Sequence, residues 1–381
     1  MDGSSRGYSG INKLKITTFI SAVYTVGYIG GLYMKVSILT YHCEDNYGAV
    51  LQAYATQKAV EGLGHESEFI DLRLETPISW KQRLIFALKR ARFRDFRKRH
   101  YHNLTPRTYQ SIEELRNTPP LSDCYLTGSD QTWNPEIAGT LLPAFFLDFG
   151  SDHTRRITYA TSIGLSDWPS PAPIPDSEIS RALKRFNSIL LREERAMEIA
   201  KDRWKADSRQ VVDPVLLFKD YPELTGPIQQ SGEIIVYKLI NTPEFYNLAL
   251  GVAKDYKAPI RSIGSVRRPK GMRAAYPEKV ETWISRIAGS KAVITDSFHG
   301  TVLALLYHRP FAIYVGDPKR VSRIVSLLTD LGLSDRILST GASKEDFRRV
   351  LDREIDWKRV DSRLEERRQS SMNLLRNALK S

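Results

Sequence analysis

Twice along the chain an apolar, strand-like run breaks into a turn packed with small, polar and ionisable residues and then opens a helix. The first run, 121–127, ends in Gly128-Ser129-Asp130-Gln131-Thr132-Trp133-Asn134; the second, 292–295, ends in Thr295-Asp296-Ser297-Phe298-His299-Gly300-Thr301. Strands that alternate with helices build mostly parallel sheets covered by helices on both faces. In such open sheets ligands collect outside the carboxyl ends of the strands. Two such turns therefore imply two α/β lobes facing one cleft.

The pattern around them agrees. A strand at 36–40 leads through 41–48 into a helix at 49–63 and a strand at 69–72, a βαβ unit whose crossover should be right-handed. Strands at 156–160 and 188–191 follow the first turn, and Pro169-Ser170-Pro171-Ala172-Pro173 marks a surface loop. Asp213-Pro214 closes the first lobe, and 222–232 reads as linker. The second half offers a strand at 233–238, helices near 242–255, 278–287 and 300–307, and strands at 260–263, 292–295 and 310–315. The expected units are a Rossmann-like lobe over 34–220, a second over 232–345, and a charged terminal helix within 346–381.

A length of 381 residues suits two domains. Cys43 and Cys124 are the only cysteines, so a disulfide framework is not expected, and reduced thiols fit a cytosolic compartment. No Cys/His spacing suggests zinc, and no metal is expected. The net charge of +12 draws anions: phosphorylated substrates, phosphate-bearing lipid carriers or an anionic membrane. Nucleic acid is set aside because no binding motif accompanies the charge. Segment 81–99 holds nine Lys or Arg against one acid, Asp95, interleaved with Leu84, Ile85, Leu88, Phe93 and Phe96. It reads as a basic amphipathic helix that either lies on a membrane or, the favoured alternative, packs its apolar side on its own lobe.

Residues 16–34 carry no charge and are flanked by Lys13, Lys15 and Lys35. As a membrane anchor the stretch is short and rich in Thr, Gly and Tyr. Gly30-Gly31 is encodable by a bacterial ribosome-binding sequence just ahead of Met34, where the first strand begins. The expectation is that Met34 is the native start and residues 1–33 are translated upstream sequence, with a weak anchor as the alternative.

Further strings stand in order around the two turns: Asn46-Tyr47-Gly48-Ala49-Val50-Leu51-Gln52, Tyr159-Ala160-Thr161-Ser162-Ile163-Gly164, Leu191-Arg192-Glu193, Asp213-Pro214-Val215-Leu216-Leu217, and Arg323 with Leu327-Leu328 through Gly332-Leu333-Ser334-Asp335-Arg336. Taken together over about 35–338, they resemble the polysaccharide pyruvyl transferase family. The resemblance implies a GT-B-like pair of lobes, with the terminal helix returning to the first. It also implies transfer of the pyruvyl group of phosphoenolpyruvate to two sugar hydroxyls, giving a cyclic ketal and phosphate with no cofactor. The acceptor would be a cell-surface polysaccharide precursor, a lipid-linked oligosaccharide met in the cytoplasm at the inner face of the membrane. A nucleotide-sugar glycosyltransferase is the alternative on the same fold, and a non-catalytic partner in polysaccharide assembly is a third reading.

That reaction needs an acid to protonate the enol methylene, cations to hold phosphate and carboxylate, and a base for the hydroxyls. His299, at a strand-to-helix turn, suits the acid. Gly300 after it would leave backbone open to an anion at the helix N-terminus. Ser297 stands where many members of the family carry a basic residue, so the missing cation must come from elsewhere. Arg192 is the first candidate and Arg323 the second. Asp130 is a candidate base, or else it caps the next helix with Ser129. Trp133 offers a flat face to a sugar or packs internally. Asn46 and Gly48 are candidate acceptor contacts, Asp296 either joins them or simply holds its turn, and His42 at most lines the cleft.

Overall fold

A computed structural model of the chain describes residues 33–73, 79–239, 242–264, 270–316 and 321–380. Both readings of residues 1–33 fall outside these, Tyr33 apart. Among the described residues, β1 (Lys35–Leu39), β2 (Glu66–Phe69), β3 (Asn103–Leu104), β4 (Cys124–Thr127) and β5 (Arg155–Thr158) form a parallel sheet in the order β3-β2-β1-β4-β5. The short parallel pair β6 (Leu190–Leu191) and β7 (Arg209–Gln210) continues it through bridges from Ile157 to Ser188 and from Thr161 to Leu191. The second sheet runs β10-β9-β8-β11-β12-β13, again parallel, from β8 (Ile234–Tyr237), β9 (Ile260–Ile263), β10 (Arg273–Ala275), β11 (Ala292–Thr295), β12 (Phe311–Val315) and β13 (Ile337–Ser339). Each sheet steps to one edge, returns and continues on the other side. That doubly wound order places a switch point beside β1 and beside β8.

The strands are apolar runs because helices cover both faces. Val36, Ile38 and Leu39 are fully buried, as are Ile234, Ile235 and Val236. β4 starts three residues after the expected 121 because Leu121 lies exposed and the Ser122 hydroxyl, donating toward the Lys35 and Cys124 carbonyls, ties the chain before the ladder begins. The edge strands β10 and β13 went unexpected: both are three residues long and carry no alternation.

Helix Tyr47–Gly62 joins the lobes. Its N-cap Asn46 accepts from the Gly48 and Ala49 amides through Oδ1. It is buried nearly all round, as a helix between two layers must be. Tyr47 stacks on Trp283 with centroids 5.1 Å apart, meets Tyr237 edge-on, and donates its hydroxyl to the Glu278 carbonyl at 2.9 Å. One apolar cluster runs from Val36 and Ile38 through Val50 to Ile235, Trp283 and Val302. The lobes share a core.

The terminal helix Trp357–Ala378 lies on the first lobe, where Ser371 accepts from the Val212 amide and Arg368 donates to the Leu216 carbonyl. Helix Trp80–His100 carries the basic segment, and its second half packs inward through fully buried Phe93 and Phe96. Arg97 there pairs with Asp45, and Arg99 and His100 with Glu281 of the second lobe. Among the described residues no helix is long and apolar enough to cross a membrane.

Candidate functional site

The two switch points face each other. From the first lobe come Tyr41 after β1 and Asp130-Gln131 after β4; from the second come Leu239 after β8 and Ser297-Phe298-His299 after β11. With Glu44, Asn46, Ala49, Ile137 and Arg323 they line an open cleft of about 970 Å³. A second compartment of about 940 Å³ shares Gln131, Ile137, Leu239, Phe298 and Arg323 with it and extends past Asn134, Gly164 and Asp296.

Next to His299 of the cleft stands a buried charge cluster organised by Asp213. One carboxylate oxygen, Oδ1, caps the short turn Pro214–Leu217 by accepting from the Val215 amide at 3.0 Å. The other, Oδ2, accepts from Arg192 Nη1 at 2.5 Å and from the Ser129 hydroxyl at 2.9 Å, and lies 3.6 Å from His299 Nε2. Burial pushes this carboxyl up, but the nearby His299 charge and then Arg192 outweigh it, holding Asp213 well below the usual carboxylate range. Glu193, next to Arg192, is fixed by the Ser162 hydroxyl and the amides of Ile163 and Gly164, which accounts for the string ending in Gly164.

Arg192 and Arg323 come together across Phe298, with guanidinium carbons 4.5 and 5.8 Å from its ring centre. Burial, and then the neighbouring Arg192 charge, lowers Arg323 to about 10, which leaves it protonated at neutral pH. Asp130 lies 3.7 Å from Arg323 and 4.0 Å from Arg192. Arg192 Nε and Nη2, Arg323 Nε and His299 Nε2 are buried without a hydrogen-bond partner among the described residues. Each such donor costs about 1–3 kcal/mol unless something satisfies it. A cleft that keeps several of them beside two guanidinium groups is prepared for an anion. Among the described residues no His, Cys, Asp and Glu side chains cluster to hold a metal ion.

Several expected contacts need correction. Trp133 is fully buried, stacked on Phe146 and donating Nε1 to the Phe145 carbonyl, so its face is spent in the core of the first lobe and is unavailable to a sugar. Gly300 does not open the backbone to an anion, because the helix starts earlier, at Phe298, and the Gly300 amide donates to its N-cap Ser297. A Cβ there would lie 2.6 Å from Thr295 Oγ1, so this glycine serves close packing on β11. Gly48 touches His299 rather than open cleft: a Cβ would come within 2.2 Å of His299 Nδ1. Asp296, by contrast, does both things expected of it, holding its turn by accepting from the Leu239 amide and pairing with Lys238 at 2.8 Å, and lining the second compartment. His42 is buried against Asp71 and does not line the cleft.

Asn46, Ser297, His299, Asp130 and Arg323 do line the cleft, whereas Arg192 lines a neighbouring cavity that shares Phe298 and Arg323 with it. Asp130 combines a turn role with this position. It adopts φ 80°, a left-handed conformation that Asp tolerates better than most side chains, and its carboxylate accepts from the Gln131 amide. Sequence reasoning missed Asp213, Ser129, Glu193 and Phe298, although all four sat inside the strings that carried the resemblance.

Two doubly wound lobes meeting at their switch points form the GT-B architecture. The chain superimposes on UGT89C1 of Arabidopsis thaliana with a TM-score of 0.50 at 9% identity, covering 91% of this chain and 100% of that one, which shows the shared fold alone. The spinosyn rhamnosyltransferase SpnG gives 0.47 at 11% identity, covering 91% and 99%. Comparison with curated proteins finds no match. Residues 46–318 match the family described as polysaccharide pyruvyl transferase, and the chain belongs to that family.

Proposed function

We propose that the protein moves the pyruvyl group of phosphoenolpyruvate onto two hydroxyls of one sugar in a cell-surface polysaccharide precursor, making a cyclic ketal and releasing phosphate without a cofactor. The observation that carries this reading is the pair of guanidinium groups, Arg192 and Arg323, with buried donors left unpaired beside His299. A donor with both a phosphate and a carboxylate calls for two cations, and Arg323 supplies the charge that Ser297 cannot. His299 turns Nε2 toward Asp213, which leaves Nδ1, on the Gly48 side, to hand a proton to the enol methylene. The adjacent carbon then accepts one sugar hydroxyl, phosphate leaves with the C–O bonding pair, and the second hydroxyl closes the ketal. Asp130 takes the proton of the first hydroxyl, and the departing phosphate takes that of the second. The second compartment, which opens past Asn134 and Asp296, gives the acceptor room.

The test is thermal shift against phosphoenolpyruvate and a panel of nucleotide sugars, because a ligand stabilises the state that it binds. Phosphoenolpyruvate should raise the melting temperature of the wild type. Arg192→Lys should raise the KM for phosphoenolpyruvate well above tenfold with little change in that for the acceptor, since the ammonium lacks the planar fork. A response to nucleotide sugars alone overturns the reading in favour of glycosyl transfer.

Gly48→Ala probes the His299 ring. The added methyl forces the ring from its place, and a displacement on the order of 1 Å costs about 100-fold in turnover. Phosphoenolpyruvate binding should persist. Wild-type turnover in this variant would show that the ring position is irrelevant.

A further inference from the structure

We propose that helix Trp80–His100 docks the protein on an anionic lipid surface through its exposed Leu84–Leu88 edge and the cations that follow it. The second half of this helix spends its inner face on the core through Phe93 and Phe96, and Arg97, Arg99 and His100 on ion pairs. The outer face is different. Leu84 is 68% exposed and Leu88 is 54% exposed, one turn apart and hence on one side. Continuing along that side at helical spacing come Ala91, then exposed Arg94 and Lys98. Arg90 and Lys98 have no carboxylate partner among the described residues, and Arg94 has only exposed Asp95, 3.9 Å away. Leucines exposed at one end of a cationic helix are costly in water. At a membrane the leucines enter the acyl boundary while the cations meet anionic headgroups.

The position of the helix gives the docking a purpose, and this part rests on the proposed transfer reaction. Arg97 grips Asp45 and the Glu44 carbonyl, and Glu44 and Asn46 line the cleft. A protein lying on this helix brings its cleft mouth to the headgroup layer, where a sugar on a lipid carrier is presented.

The experiment is flotation of the full chain with vesicles of phosphatidylcholine, alone or with about one quarter phosphatidylglycerol. The wild type should float with the anionic vesicles, lose them at high salt, and ignore the neutral ones. Replacing Arg94 and Lys98 together by Gln should weaken partitioning about 25-fold, since each such cation near the surface counts for roughly one factor of five. Leu84→Ser with Leu88→Ser should weaken it about 100-fold, at roughly 1.5 kcal/mol for each leucine taken out of the acyl boundary. Both variants should keep the wild-type melting temperature and turnover of a water-soluble acceptor. No wild-type binding to anionic vesicles, equal binding to neutral ones, or unaltered binding by either variant overturns the proposal. Retention by duplex DNA in place of vesicles overturns it too, in favour of a nucleic-acid face. Vesicle binding by a protein that does not turn over phosphoenolpyruvate would leave the docking intact and remove only the transfer reading.

Discussion

His299→Gln should leave a folded protein that still binds phosphoenolpyruvate but turns over about 100- to 10,000-fold more slowly, the usual worth of a positioned acid. Protonation of the methylene carbon creates the electrophile, so solvent deuterium entering the product methyl group should fall in parallel with transfer. Gln keeps a hydrogen-bonding side chain against Asp213 and Gly48, which makes misfolding a poor explanation for the loss. Were His299 only a grip on phosphate, binding would fail while turnover at saturating donor survived. Wild-type turnover at saturation with normal deuterium incorporation would sink the assignment and transfer the search to Asp130.

Asp213→Asn should lower turnover about 100-fold without abolishing donor binding, because it removes the charge that orients Nε2 of His299 while preserving shape. It should also cost about 3 kcal/mol of stability, since Arg192 stays buried with its carboxylate partner gone. The two effects separate by pH. The Asp213 carboxyl is held below its ordinary 3.8 in the folded state, so its contribution to stability is complete above about pH 4 and is lost as pH falls through its lower folded value. The gap in melting temperature between wild type and variant should therefore narrow on acidification from neutral pH toward about pH 3. A purely structural Asp213 would show that gap with unaltered turnover.

Much of this arrangement was legible in the chain because sheet position and motif coincide. The two turns at 128–134 and 295–301 identified the switch points, and Arg192, Arg323 and His299 meet across Phe298 as charged residues placed after strand ends should. What was not legible was which side of a residue is spent. Trp133 and Asp213 both sat in the strings, yet one went into the core and the other became the centre of the charge cluster. Asp213 reads as an Asp-Pro turn because it is one. A single oxygen satisfies that turn, and no periodicity reports what the other oxygen meets. Glycines mislead similarly: Gly48 and Gly300 suggest room for a ligand, whereas the room is already filled by His299 and Thr295.

The unbroken apolar cluster beneath helix Tyr47–Gly62 bears on modularity. The linker near 222–232 invites a chimaera in which the second lobe is exchanged for that of a relative with another specificity. The seam that matters is elsewhere, where Tyr47 meets Trp283, Tyr237 and the Glu278 backbone. A graft cut at the linker would set one lineage's helix against another's pocket and put a mismatch in the middle of a single core. Recombination that carries helix Tyr47–Gly62 along with the second lobe should keep that seam matched, even though the helix belongs to the first lobe by chain order.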